Sequence, residues 1–434
     1  MIDSGAISVR HVVQTGDSPV VMVMGVIKLV LCALMLAGFM IYAHPAKALE
    51  ETSFEPAALA HALSARVAGD ESRTRIVVDY EGDLTPSIFV LSQPNRLVFD
   101  LPGLSFDPMD GTNVETRGLI SGFRFGPFAP GRGRIVVDLA DYAIIDEVLI
   151  LAALDDQPAR MVVDLVRSDA QAFDAEVERT RASFLSTQEA PREHRLDIAT
   201  DTGLPIVVID PGHGGIDSGA VSRSGVLEKS VVLQFALEFA ESLRATGLYD
   251  VHLTRDDDVF IPLAGRVRFA QSLTADLFIS VHADSLVRHR DLRGATVYTL
   301  SERASDQIAQ QLVDNEARSE MLAGMDVTQT ATSDVADILI DLTRRETTRF
   351  SLSFAQDLVS ELSTATRMVS NPHRSAGFRV LKAPEIPSIL LELGFLSNED
   401  DERLLTDPSW RTRTVSALHT AVDRFFEQRV ASVP

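Results

Sequence analysis

The chain has almost no cysteine: Cys32 is the only one in 434 residues. It sits in an apolar stretch near the N-terminus, so beyond that stretch neither a disulfide nor a thiolate metal ligand is available. Any metal must be held by histidine and carboxylate. Basic residues are also scarce. Lys and Arg number 40 against 62 Asp and Glu, a net charge of −22, which argues against nucleic acid or an anionic membrane surface as the main partner. The uncharged apolar run Leu29 to Ala43 stops at 15 residues, short of the roughly 20 that a membrane span needs. Lys28 precedes it, and Ala46-Lys47-Ala48 follows with the small-x-small form of a cleavage site. Residues 1–48 therefore read as a signal peptide for export, which would be the chain's one dealing with a membrane. The competing reading is a retained anchor, because Val20 to Tyr42 is broken only by Gly25 and Lys28. Leu31 before Cys32, where a small residue would be needed, argues against a lipoprotein.

What is present is enough apolar residue, 45%, to build real cores, and enough length for two or three domains. Residues 52–166 carry an internal repeat. Arg75-Ile-Val-Val-Asp79 recurs as Arg96-Leu-Val-Phe-Asp100, as Arg134-Ile-Val-Val-Asp138 and as Arg160-Met-Val-Val-Asp164. Each copy is a β-rich run followed by turn-formers, and Ser87 to Leu91, Gly122 to Phe125 and Ile144 to Leu149 supply further strands. The spacings are irregular, which excludes a solenoid and predicts a small all-β sandwich. Nothing in it suggests catalysis. A binding or targeting module and a purely structural sandwich both fit. Residues 167–204 hold few large apolar residues and many polar ones, and read as a solvated linker with helical pieces around Phe173 to Phe184.

Residues 205–432 alternate strands with helices. Strands are expected at Ile206 to Ile209, Val251 to Thr254, Leu277 to Val281, Ala295 to Leu300, Gly377 to Leu381 and Ser388 to Leu393. Between the fourth and fifth lies a long helical region, Glu302 to Glu361, and a helix over Trp410 to Phe426 ends the domain. That pattern predicts an α/β fold, a mostly parallel sheet flanked by helices, with its site where strands end.

Three residues fall at such ends with metal-binding chemistry. His213 stands between glycines after the first strand, His282 ends the third, and Glu228 opens the first helix on its apolar face. A carboxylate there is costly without a partner, and a metal is one such partner; otherwise Glu228 is an exposed first-turn acid favoured by the helix dipole. Two histidines and one glutamate leave a fourth position open, the pattern of a catalytic zinc site with one Zn2+ per chain. Glu392 interrupts the apolar run Ile389-Leu-Leu-Glu-Leu393 and suits the role of general base. Asp217, Asp284 and Arg255 are candidates for orienting the ligands, although Asp217 also reads as a turn former and Asp284 as a helix cap.

These motifs, Asp-Pro-Gly-His-Gly-Gly-x-Asp-x-Gly-Ala, then Glu228, then Ser-Val-His-Ala-Asp, then Leu-Glu-Leu-Gly-Phe-Leu-Ser-Asn, closely resemble those of the zinc-dependent N-acetylmuramoyl-L-alanine amidases of the cell-division type, over residues 205–430. The resemblance implies that His213, Glu228 and His282 are the zinc ligands and Glu392 the catalytic glutamate. It also implies hydrolysis of the amide between the lactyl group of N-acetylmuramic acid and the L-alanine of the stem peptide. Residues 52–166 resemble, more loosely, the AMIN module that targets such enzymes to peptidoglycan. Together with the export signal, this suggests a Gram-negative periplasm. The alternatives are a catalytically silent wall-binding protein, against which the complete set of site residues argues, and a zinc hydrolase of another amide.

The region Glu302 to Arg345 is too long for a plain connection and should carry structure and purpose. Ile308, Leu312 and Val313 make a helical stripe that Glu316 continues by one turn. Either Glu316 is solvated past the stripe's end, or the helix lies across the cleft and Glu316 takes the open zinc position, with Glu320 as the reserve. In the resembling amidases a helix in this region blocks the site until an activator displaces it. A periplasmic activator of the inactive-endopeptidase-like type is the partner so implied.

Overall fold

The computed structural model describes residues 60–109, 113–129, 131–154, 156–187, 203–286, 289–325 and 338–431. The expected signal peptide, residues 188–202 of the expected linker and residues 326–337 of the expected insert lie outside them. Among the described residues no helix is long and apolar enough to cross a membrane.

The first domain consists of β1 (Ala60–Gly69), β2 (Arg73–Glu81), β3 (Ser87–Leu91), β4 (Arg96–Pro102), β5 (Leu104–Ser105), β6 (Ile120–Ala129), β7 (Arg132–Leu139), β8 (Ala143–Leu151) and β9 (Ala159–Arg167). They form a five-stranded sheet, β5-β1-β2-β9-β8, and a four-stranded sheet, β3-β4-β7-β6. Ile76, Val78, Met161 and Val163 from the first share one buried core with Leu97, Phe99, Ile135 and Val137 from the second, so the expected sandwich is present.

The repeated runs are β2, β4, β7 and β9, and they pair antiparallel two by two. Arg75 faces Asp164 and Asp79 faces Arg160. Arg96 faces Asp138 and Asp100 faces Arg134. Side chains alternate along a strand, so the Arg and Asp of one copy share a face with the central valine, while the residues between them point to the core. Antiparallel pairing then sets every charge against its opposite, which fixes the register. Arg75 Nε lies 2.6 Å from Asp164 and Arg160 Nε 2.7 Å from Asp79.

The segment after β9 is not a solvated linker throughout. Ala170–Thr187 is a helix, α1. Phe173 is wholly buried in the sandwich core, and the Val90 N–H donates to Thr180 Oγ1 at 3.0 Å. Phe173, Val177 and Thr180 recur at helical spacing on one face, so the helical piece expected around Phe173 to Phe184 is present, and what differs from a solvated linker is its packing on the sandwich core.

The second domain runs β10 (Ile206–Pro211), α2 (Glu228–Arg244), β11 (Asp250–Leu253), α3 (Leu263–Ser272), β12 (Leu277–His282), β13 (Ala295–Leu300), α4 (Gln307–Leu322), α5 (Ile338–Ala365), β14 (Met368–Ala376), β15 (Ser388–Glu392), α6 (Glu399–Leu405) and α7 (Pro408–Ala431). The sheet order is β11-β10-β12-β15-β13-β14. All pairs are parallel except β13 with β15. Phe235, Phe239, Phe354, Leu358, Leu418 and Phe425 from α2, α5 and α7 cover one face. Leu263, Ala270, Ala309 and Leu312 from α3 and α4 cover the other. The fold class is as expected.

One strand was expected in the wrong place. The edge strand is Met368–Ala376, while Arg379–Leu381, within the expected Gly377 to Leu381, is a 3-10 turn. Met368–Ala376 is polar and contains Pro372, which only an edge strand accommodates. Val380 and Leu381 are buried with Ala309 and Leu312, so their apolar character serves packing and not a sheet.

Candidate metal centre

The strand β10 ends in Pro211, and the chain turns at Gly212 into His213, whose φ of 58° is left-handed. Glycine is required on this path. A Cβ on Gly212 would lie 2.3 Å from Cε1 of His282, and one on Gly219 would lie 2.6 Å from both Glu228 Oε2 and the His213 ring. His282 ends β12, the parallel neighbour of β10, and the two imidazole centroids are 5.0 Å apart.

Glu228, the first residue of α2, is wholly buried between them. Its Oε2 lies 3.2 Å from His213 Nε2 and its Oε1 3.1 Å from His282 Nδ1. The Ala220 and Ala283 N–H groups each donate to it at 2.8 Å. Ligand atoms from the three side chains lie within 4.8 Å of one another. Burial opposes charge on Glu228, but His213 and then His282 outweigh it and hold the carboxyl well below its usual range. Burial likewise opposes charge on His213, and Asp217 and Glu228 nonetheless raise it well above the usual imidazole value. The cluster calls for positive charge at its centre. Two imidazoles and a buried carboxylate are the donor set that zinc prefers when no thiolate is available, so the residues fit a zinc ion.

The supporting groups are also in place. Asp217 Oδ2 lies 2.8 Å from His213 Nδ1. Arg255 donates to the carbonyls of Pro211 at 3.0 Å, Gly212 at 2.7 Å and Lys229 at 2.9 Å. Burial, then Arg266, lowers Arg255 to about 10. The sequence reading missed Arg266 and Asp210. Arg266 donates to Asp210 at 2.8 Å, to the Pro211 carbonyl at 2.7 Å and to the His213 carbonyl at 2.6 Å. Thr254 and Ser280 also donate to Asp210. A charged pair this deep survives only with every polar atom matched; here it fixes the backbone that carries His213. An Asp inside an apolar strand, at position 210, was the signal that could have revealed it.

Glu392 ends β15 directly opposite His282. Its Oε2 accepts from the Asp284 N–H at 3.1 Å. Burial, then Asp284 and Glu228, push its carboxyl well above the usual range. Asp284 is itself pushed up to about 6 by burial and then by Glu228. The four residues singled out by sequence thus come together at adjacent strand ends.

The helix α4 borders the cluster. Asn315 Nδ2 donates to Asp284 Oδ2 at 2.9 Å, and Ser319 donates to Asp217 Oδ2. Glu316 is buried, not solvated. Its two oxygens accept the backbone N–H groups of Arg379 at 2.8 Å and Val380 at 3.1 Å, and burial raises its pKa. It is not a member of the metal-competent trio. Glu320, the reserve, accepts from Arg379 at 2.7 Å and from the Leu263 N–H at 3.2 Å.

A family model described as N-acetylmuramoyl-L-alanine amidase matches residues 207–424, and one described as AMIN domain matches residues 64–165. The chain is 32% identical over 381 residues to the N-acetylmuramoyl-L-alanine amidase AmiC of Escherichia coli O6:H1, covering 85% of this chain and 90% of that relative. It is 38% identical over 225 residues to AmiA of Escherichia coli K12, covering 52% of this chain and 77% of the relative. Among solved structures, the amidase AmiC2 of Nostoc punctiforme is 25% identical with a TM-score of 0.38, covering 51% of this chain and 97% of that one.

Proposed function

This chain belongs to the zinc-dependent N-acetylmuramoyl-L-alanine amidase family and carries an AMIN domain, and from that premise we infer that His213, Glu228 and His282 hold one Zn2+ per chain while Glu392 is the catalytic base. The enzyme is a peptidoglycan hydrolase of cell separation, cleaving the amide between N-acetylmuramic acid and L-alanine. The observation that carries the site assignment is the trio of His213, Glu228 and His282 gathered around a buried carboxylate, with Glu392 facing it from the next strand.

Zinc, when bound, lowers the pKa of a water and polarises the scissile carbonyl. The chain does the rest. Asp217 accepts the Nδ1 proton of His213, which leaves Nε2 free to face the metal. Glu392 takes a proton from the attacking water as its oxygen adds to the lactyl carbonyl carbon. It then returns that proton to the departing nitrogen as the C–N bond breaks. The products are a lactyl carboxylate and a stem peptide with a free L-alanine amine. Digestion of purified sacculi by the mature protein, with and without a chelator, tests this. The expected product is a peptide with N-terminal L-alanine, lost on chelation. Intact stems under zinc-replete conditions from both the full chain and a variant with α4 excised would overturn the assignment.

The same reading makes α4 the gate. The contacts of Asn315 with Asp284 and of Ser319 with Asp217 support this, and Glu316 lies buried on the same helix, its oxygens accepting the Arg379 and Val380 N–H groups. We assign Glu316 as the group that closes the open zinc position. An activator protein that binds only the displaced helix would shift the population toward the open form. Glu316→Ala should then raise basal hydrolysis; an unchanged basal rate with zinc retained would remove Glu316 from the gate. Export to a Gram-negative periplasm and wall targeting by the AMIN domain complete the assignment. Deleting the AMIN domain should reduce co-sedimentation of the protein with insoluble peptidoglycan, and undiminished sedimentation would leave that domain a structural role.

A further inference from the structure

The outward face of the four-stranded sheet is covered. Phe89, Leu91, Val98 and Val136 project from it into an apolar cluster completed by Ile216, Phe260 and Ala323 of the catalytic domain. What lies on that face is the end of α4. The helix closes in a two-bond turn, Gly324 N–H to the Met321 carbonyl at 3.0 Å and Met325 N–H to the Glu320 carbonyl at 2.9 Å, with Gly324 at φ +71°. Two more donors come from the sheet. Arg96 donates to the Met321 carbonyl, and Arg134 donates to the Ala323 carbonyl at 3.1 Å. Both arginines are at most 3% exposed, so their charges meet the negative end of the helix dipole out of solvent. The Arg134 guanidinium lies 3.2 Å from the centre of the Phe128 ring, which stacks on Phe260 at 5.5 Å. Gly324 sits flush, since a Cβ there would lie 3.0 Å from methyls of both Val98 and Val136.

We propose that this AMIN face is a seat for α4, so that the domain holds the gate shut as well as binding wall. The inference rests on the reading that α4 gates the site. One turn before the seat, Ser319 reaches Asp217, and one turn further Asn315 reaches Asp284. The helix is pinned at one end by the sheet and along its body by the metal cluster. The sheet also reaches the other side of the site, for the Pro127 carbonyl accepts the Ile216 N–H at 2.8 Å, three residues after His213. Displacing α4 therefore requires breaking it from the AMIN face, and anything that draws this face away opens the site.

The test is Arg96→Met with Arg134→Met in the zinc-loaded full chain. Methionine keeps the bulk and the apolar fit but has neither donor nor charge. Amide hydrogen exchange over residues 307–322 should rise by about tenfold or more, and basal sacculus hydrolysis should rise toward that of a variant with α4 excised. Exchange in β2 and β9 reports whether the sandwich stays folded. If the sandwich loosens, Phe260→Ala opens the same seam from the catalytic side and should speed exchange in α4. Unchanged α4 exchange in the double variant with the sandwich intact, or in Phe260→Ala, overturns the seat. If α4 excision leaves hydrolysis unchanged, the gate reading fails, and the exchange data alone still decide whether the sheet holds the helix.

Discussion

Ser319, on α4, donates to the oxygen of Asp217 that faces Nδ1 of His213. One carboxylate oxygen thus serves His213, the proposed zinc ligand, and the helix that lies over it. Ser319→Ala should free that side of α4 and raise basal hydrolysis while zinc content stays full. Asp217→Asn should weaken zinc binding by about 10–100-fold, read by titration against a chelating competitor. Unaltered affinity in Asp217→Asn would show that Asp217 does not orient His213.

Alanine at His213, Glu228 or His282 should each remove zinc, measured by metal analysis, and with it activity. Glu228→Ala should also lower the melting temperature, because it strands the buried His282 imidazole and the Ala220 and Ala283 N–H groups. Full metal content and normal turnover in all three would refute the ligand set.

Glu392→Gln should keep both zinc and fold and lose at least ~10² in rate. The substitution removes one of several crowded carboxylates, so no loss of thermal stability is expected. Loss of zinc instead would make Glu392 a ligand.

Asp164 gives the AMIN domain a defined acid limit. Hydrogen bonds from Arg75, set against burial, and from Arg73 hold its carboxyl at about 2, below the ordinary 3.8. A carboxyl whose pKa is lower folded than unfolded adds stability above the unfolded value and loses it as pH falls through the folded one. Exchange protection of β2 and β9 should therefore hold down to about pH 4 and fall away toward pH 2. Asp164→Asn should lower protection at pH 7 and flatten that acid dependence; an unchanged acid profile would show that the pair does not set it.

The parts legible in sequence were those where a residue contradicts its surroundings. Glu392 in an apolar strand, Glu228 on an apolar helix face and His213 among glycines each called for a partner, and each has one. The repeat was legible because each copy is an unbroken apolar run between Arg and Asp, its inward pair packed on the other sheet and, in β4 and β7, its central valine on the catalytic domain. What stayed hidden depends on distant partners. Arg96 and Arg134 read as charges bounding a strand, because the carbonyls they reach lie some 200 residues on, in Met321 and Ala323. Asn315 and Ser319 sit beside the apolar stripe of α4, where polar residues look solvated. Met368–Ala376 lacked any apolar alternation because it is an edge.

The repeated run has a further property. Read backwards with its charges exchanged, Arg-x-x-x-Asp is itself, so any copy is electrostatically self-complementary to any other. Charge therefore says how far two strands slide past each other but not which two meet. Partner choice falls to the inward residues, Ile76 and Val78 against Met161 and Val163 in one sheet, Leu97 and Phe99 against Ile135 and Val137 in the other. Exchanging Arg75 with Asp79 would accordingly be repaired by exchanging Arg160 with Asp164, and left unrepaired by the same exchange in β4 or β7.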